Sequence, residues 1–156
     1  MSAETLLHAT AVAVAVDPDG PLFGALLLGK SGAGKTAHAL ALVFGCPWRR
    51  SKLIADDAVF LSARDGRLWA RGGPAIAGFA ESRGFGPAPT PFTMTHALSA
   101  GFDLDEPVTR FEDARFLPLD SGRLLPIYPF LAGSEGGVRL RVAARAILAR
   151  NGALRR

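Results

Sequence analysis

The chain has 156 residues, 49% of them hydrophobic, which excludes a disordered segment and suffices for one domain with a real core. Its single cysteine, Cys46, excludes an intramolecular disulfide and fits a reducing cytosol, and no apolar run approaches the ~20 residues of a membrane span. The net charge of +4 is uneven: after Glu135 come Arg139, Arg141, Arg145, Arg150, Arg155 and Arg156 with no acid, leaving 12 basic against 14 acidic residues in the first 135.

That basic end reads as a docking face for an acidic partner or nucleic acid, or as a solvated helix face with a frayed tail. No zinc spacing, aromatic RNA motif or helix-turn-helix signature supports a nucleic-acid partner, so the solvated face is the preferred reading. Along the chain, the run Ala9 to Val16 is apolar and preceded by no Lys or Arg. It predicts a strand over 10–16 rather than a signal peptide. Asp17-Pro18-Asp19-Gly20 is a turn, and Leu22 to Leu28 is a short apolar run of the kind buried on both faces of a sheet.

Next comes Gly29-Lys30-Ser31-Gly32-Ala33-Gly34-Lys35-Thr36, a full match to the phosphate-loop pattern G-x-x-x-x-G-K-[ST]. The glycines let the backbone turn so that its amides face phosphate oxygens. Lys35 adds a mobile positive charge, and the Thr36 hydroxyl can ligate Mg²⁺. A helix starting near Gly34 would add its positive end to the same anion site. Thr36 to Phe44 places Ala37, Leu40, Ala41 and Phe44 at helical spacing, and Gly45 and Pro47 supply stop signals. Cys46, beside Pro47 and Trp48, reads as a packed thiol.

Lys52 to Leu61 predicts a strand carrying Asp56 and Asp57, 20 and 21 residues after Thr36. Nucleoside triphosphatases with this loop place an acidic residue there to bind Mg²⁺. Neighbouring residues of a strand face opposite ways, so both aspartates can serve one site only where the strand has ended. Asp65-Gly66 predicts a hairpin into Arg67 to Arg71. Residues 72–91, rich in Pro and Gly, predict a long loop. Short strands are expected around Ala100 to Leu104 and Phe116 to Leu119, with an extended stretch at Leu125 to Phe130. In Gly137 to Arg150, Leu140, Ala143, Ala144, Ile147 and Leu148 line one helical face, closed by Asn151-Gly152, although Val138, Leu140 and Val142 also allow a short strand. His38 and His96 read as structural.

Three blocks in order resemble the catalytic domain of HPr kinase/phosphorylase. They are the loop Gly29 to Thr36; Leu53-Ile54-Ala55-Asp56-Asp57, similar to the family's L-V-A-D-D; and Ile76 to Gly86, similar to its I-x-G-x-x-E-V-R-G-x-G. His8 fits the family's N-terminal histidine. The likeness runs from about Leu7 to Ala146, through Glu106-Pro107, and is nearest the short alphaproteobacterial form that lacks an N-terminal domain.

The resemblance implies an α/β fold over residues 1–156: a P-loop domain of the phosphoenolpyruvate-carboxykinase-like type, with a mixed central sheet flanked by helices. It also implies transfer from ATP, with Mg²⁺, to a serine of HPr or an HPr-like phosphocarrier, in a cytoplasmic protein able to form homo-oligomers. Lys35 would grip the β- and γ-phosphates. Asp56 or Asp57 would accept the serine proton; the assignment adopted makes Asp56 the base, flanked by His8, and gives Thr36, Asp57 and Glu81 to the metal. Arg83 would meet the transferring phosphoryl group.

Departures from the family are Ala37 where an acid is usual, Thr36 for Ser, Ser82 for Val, the Pro-rich segment after Gly86, and the lack of a P-G-R-N loop. A P-loop kinase of a small metabolite and a nucleotide-binding regulatory module with weak catalysis are the alternatives, the second favoured by Ala37.

Overall fold

The computed structural model describes residues 4–105, 115–118 and 124–152. In chain order its strands are β1 (Thr5–Leu7), β2 (Thr10–Val14), β3 (Phe23–Leu28), β4 (Lys52–Ala55), β5 (Val59–Arg64), β6 (Arg67–Arg71), β7 (Phe79–Ser82), β8 (Gly86–Pro89), β9 (Thr95–Ala97), β10 (Ala100–Asp103), β11 (Arg115–Pro118) and β12 (Leu124–Pro129). Helix α1 (Lys35–Phe44) follows β3, a 3₁₀ turn at Pro74–Ile76 precedes β7, and α2 (Gly136–Arg150) ends the described chain.

A six-stranded sheet forms the centre, in the order β11-β12-β10-β3-β2-β4. It is mixed: β10 runs parallel to β3 and β12, while β2 runs antiparallel to β3 and β4. Side chains alternate across it as the period of two demands. Val12, Val14, Phe23, Ala25 and Leu27 face one way and pack with Ala39, Leu42 and Val43 of α1 and Leu140, Ala144 and Ile147 of α2. Ala11, Ala13 and Leu26 face the other way, onto Val59, Leu61, Leu68 and Ala70. The two helices of the described residues therefore cover the same face. The mixed central sheet flanked by helices is as expected, and its second face is covered by an antiparallel sheet, β1-β5-β6-β9.

Residue size explains the asymmetry. Toward the second sheet β2 presents Ala11 and Ala13, and β3 presents Gly24, where a Cβ would stand 1.9 Å from the Ala97 carbonyl oxygen, so that sheet can approach closely beside Leu26 and Ile127. Bulky side chains on the helix face, with Phe23, Phe102, Tyr128 and Phe130 in ring contact, each bury surface worth ~1.5–3 kcal/mol.

Several local expectations change. Of the α1 positions Ala37, Leu40, Ala41 and Phe44 only Leu40 packs on the core: Lys35, His38, Ala39, Leu42 and Val43 are buried, and Phe44 is exposed. The loop sets the phase of the helix, because Lys35 must turn inward and the residues one and two turns later follow it. The strand expected over Lys52 to Leu61 breaks at Asp56, where the Ala58 amide bonds the Asp56 carbonyl (2.8 Å) and Asp57 takes a left-handed φ of 69°. Residues 72–91 are not one loop but hold the β7–β8 hairpin. Strand β1, unforeseen, pairs with β5.

The Asp65-Gly66 turn forms, with φ of 53° and 74°, and α2 buries the residues expected of it. Glycines 136 and 137 let α2 start close against α1; a Cβ on Gly137 would stand 2.9 Å from that of Ala41. Within the basic stripe, Arg141 is structural, donating to the carbonyls of Ala15 (3.1 Å) and Leu42 (2.6 Å). Cys46 is buried; burial pushes its thiol up, but hydrogen bonds from Ser51 and the amides of Arg50, Ser51 and Trp48 outweigh this and lower it to about 7. No helix among the described residues is long and apolar enough to cross a membrane. Glu106-Pro107, Leu119 and residues 153–156 of the basic tail lie outside the described residues.

Candidate active site

The parallel strands β3 and β10 end side by side, with Leu28 opposite Asp103, and the chain leaves β3 into the glycine loop. Gly29, Gly32 and Gly34 hold φ of 148°, 87° and 101°, and a Cβ on Gly32 would meet nothing within 4 Å. The loop is therefore open on that side and shaped by residues free of the left-handed penalty. The Ala33 amide closes it on the Lys30 carbonyl (3.0 Å). Ser31 is exposed. Lys35 is buried, its Nζ donating to the carbonyls of Gly29 (2.5 Å) and Lys30 (3.1 Å). The bond from the His38 amide to the Gly34 carbonyl (2.9 Å) opens the α1 ladder. The amides of Lys35, Thr36 and Ala37 precede that ladder, which leaves this helix start rich in donors for an anion.

Asp56 joins this loop to the rest of the site. Its Oδ1 accepts from the Thr36 hydroxyl (2.7 Å) and the Thr10 hydroxyl (3.0 Å), and its Oδ2 accepts from the Glu81 amide (3.1 Å). Asp57, two residues past the end of β4, turns the other way, and its Oδ1 lies 3.2 Å from His8 Nδ1. Those two side chains are 76% and 55% exposed. The break in the strand thus turns two adjacent carboxylates apart, one toward the loop and one toward solvent.

The predicted metal set of Thr36, Asp57 and Glu81 is not brought together. Asp56, not Asp57, touches Thr36, and Glu81 meets Asp56 through its amide while its side chain is exposed. Among the described residues no three His, Cys, Asp or Glu side chains form a metal cage. The pair Thr36 and Asp56 is nonetheless an all-oxygen set of the kind Mg²⁺ takes, using one or two protein ligands and completing its shell with water and phosphate. Arg83 stands exposed in the turn between β7 and β8.

Sequence reasoning missed three residues here. Thr10 is fully buried; a hydroxyl inside an otherwise apolar run signals a buried partner. Asp105 accepts the Lys30 amide (2.5 Å), and Asp103 pairs with Arg115 (2.6 Å) while accepting the Asp105 amide (2.9 Å). Their signal was position: carboxylates at the end of a strand parallel to β3 must lie beside the loop.

No family model matches the chain. It is 38% identical over 86 residues to the HPr kinase/phosphorylase of Clostridium beijerinckii, an alignment covering 55% of this chain. The chain spans about a quarter of that relative's length (25%). Its fold matches the solved Hpr(Ser) kinase/phosphatase from Coxiella burnetii with a TM-score of 0.78, at 18% identity, over 95% of this chain and 99% of that one. The class is a mixed α/β domain with a mixed central sheet, shared with that solved enzyme. In sequence over half its length, and in fold over nearly all of it, the chain resembles the HPr kinase/phosphorylase catalytic domain.

Proposed function

We propose that residues 1–156 act as one kinase domain of the HPr kinase/phosphorylase family, with the P-loop fold of the phosphoenolpyruvate-carboxykinase-like type. It moves the γ-phosphoryl group of ATP to a serine of HPr or an HPr-like carrier. The observation that carries this reading is the placing of Asp56 on the Thr36 hydroxyl (2.7 Å), one residue from the open Asp57–His8 pair.

The geometry favours the reverse of the aspartate roles taken from sequence. Thr36 and Asp56 would hold Mg²⁺, which when bound neutralises phosphate charge. Glu81 supports that pair through its amide. Asp57 accepts the proton of the serine hydroxyl as its oxygen attacks the γ-phosphorus and the bond to ADP breaks; in the reverse direction it returns that proton to the serine oxygen. His8 holds the Asp57 carboxylate in place. Lys35 leaves the loop carbonyls for the phosphates, and Arg83 closes on the phosphoryl group from the hairpin turn.

An acceptor as large as a protein suits the surroundings. The hollow beside Asp56, between Leu53 and Phe79, encloses about 10 Å³, barely one water. Ile76, Phe79, Phe85, Phe92 and Met94 are exposed nearby in sequence, apolar side chains more suited to meeting a protein than a metabolite.

Incubation with γ-labelled ATP, Mg²⁺ and the organism's own HPr-like carrier tests this. Label should reach one serine, and Lys35→Ala should cut transfer at least ~100-fold, the scale of losing one charge-stabilising group. A second reading rests on Ala37, exposed on the first turn of α1: a nucleotide-binding module with little catalysis. Nucleotide binding without transfer to any carrier would select it.

A further inference from the structure

His38 has no part in the chemistry above, yet it is a buried imidazole with both nitrogens engaged. Nδ1 lies 2.6 Å from the Gly34 carbonyl oxygen, and the residue's own amide donates to the same oxygen at 2.9 Å. A carbonyl only accepts, so Nδ1 carries the proton. The Gly133 amide reaches Nε2 at 3.3 Å, and an amide N–H only donates, so Nε2 is the bare nitrogen. The ring of Phe130 stands edge-on to the imidazole, 6.4 Å between centroids.

This fixes more than a side chain. The Gly34–Lys35 peptide is trans and planar, so its N–H points opposite to its C=O. With the carbonyl drawn back along α1 by two donors of His38, the Lys35 amide faces outward from the helix start, toward the loop's hollow. Gly34 itself, at φ 101° and ψ 18° with no side-chain cap, is a residue of wide conformational freedom.

The ring is also boxed in. A Cβ on Gly136 would lie 2.1 Å from Nε2, and one on Gly34 would lie 3.2 Å from Nδ1.

We infer that His38 is a positioning residue of the phosphate site: it aims the Lys35 amide at bound phosphate by holding the Gly34 carbonyl, and through Gly133 it ties that aim to the turn before α2. The inference rests on reading the loop as a phosphate site, and it adds a regulated geometry to it. Whatever moves the start of α2 changes the direction of a phosphate donor.

The test is titration of Mg²⁺–ATP, and separately of pyrophosphate, into the full chain and into His38→Asn, His38→Leu and Gly136→Ala. Asparagine keeps an N–H donor near the position of Nδ1; leucine does not. His38→Asn should bind both ligands within ~3-fold of the unaltered chain, while His38→Leu and Gly136→Ala should bind both about 10-fold more weakly. Melting temperature is recorded for each. Lower melting with unchanged affinity in all three overturns the inference, as does equal weakening in the asparagine and leucine variants. If His38→Leu does not fold, Gly136→Ala decides, and unaltered affinity there overturns it. An unaltered chain that binds neither ligand sinks the phosphate-site reading as well, whereas tight binding indifferent to His38 sinks this inference alone.

Discussion

On the loop side of the candidate site, Lys35 is buried, Asp56 accepts three hydrogen bonds and the Lys30 amide is held by Asp105. Elsewhere in the candidate site, Asp57 and His8 are exposed, as is Arg83 in the hairpin turn, where Phe85 is 79% open to solvent. One side is ordered before any ligand arrives; the other is a surface awaiting one. For a phosphoryl transfer the division is physically sensible. A small, highly charged donor needs fixed dipoles, while a protein acceptor brings its own shape and supplies the remaining walls.

The largest effect should come from the open side. Asp57→Asn removes the proposed base and should lower kcat by ~10²–10⁴ with nucleotide affinity unchanged, read by single-turnover transfer beside equilibrium binding. If transfer survives and Asp56→Asn abolishes it, the two roles revert to the sequence-based assignment.

On the ordered side, Asp56→Ala leaves the buried Thr10 hydroxyl and the Glu81 amide without their acceptor. It should cost ~2–4 kcal/mol in denaturant unfolding and raise the Mg²⁺ needed for half-maximal activity at least ~10-fold. A stability loss with no change in Mg²⁺ dependence would make Asp56 a brace rather than a metal residue.

Asp105→Asn separates charge from hydrogen bonding. The amide oxygen still accepts from Lys30 N–H, and a negative charge near the loop is gone. Nucleotide affinity should rise ~2–5-fold at low salt and converge with the unaltered chain at high salt; a fall would show that the charge itself holds the loop.

The smallest expected effect is Phe85→Ser at the hairpin turn. Stability should stay within ~0.5 kcal/mol, with a rise of ~2–3-fold in KM for the carrier alone. A matching change in nucleotide affinity would erase the distinction between the two sides.

What could be read from sequence follows the same divide. The loop, α1 and the strand leading to Asp56 and Asp57 were legible because each rests on a short local pattern: glycines, an apolar run, a fixed spacing. The helix face of α2 was legible from periodicity alone. Local patterns failed where partners come from afar. The packed face of α1 is set by Lys35 turning into the loop, not by the spacing of Leu40 and Phe44. The β7–β8 hairpin was hidden because Pro87 and Pro89 argue against a strand, and only pairing with Phe79 and Glu81 reveals it. Thr10, Asp103 and Asp105 reach the site through sheet order, which no single stretch encodes. The opposite facing of Asp56 and Asp57 goes with one left-handed residue, Asp57.

Those prolines have a further consequence. The Glu81 amide points away from β8, to Asp56, so its pair with Pro87 is the kind that exchanges no backbone bonds; two residues along, Phe79 and Pro89 are the same. The N–H groups missing from β8 are therefore those that would face outward. A free two-stranded ribbon beside an open, apolar rim is a template for runaway strand pairing between molecules. Here one edge is bonded at Glu81 by Asp56 and the other lacks donors at Pro87 and Pro89, so the rim can stay sticky to side chains while being a poor seed for aggregation.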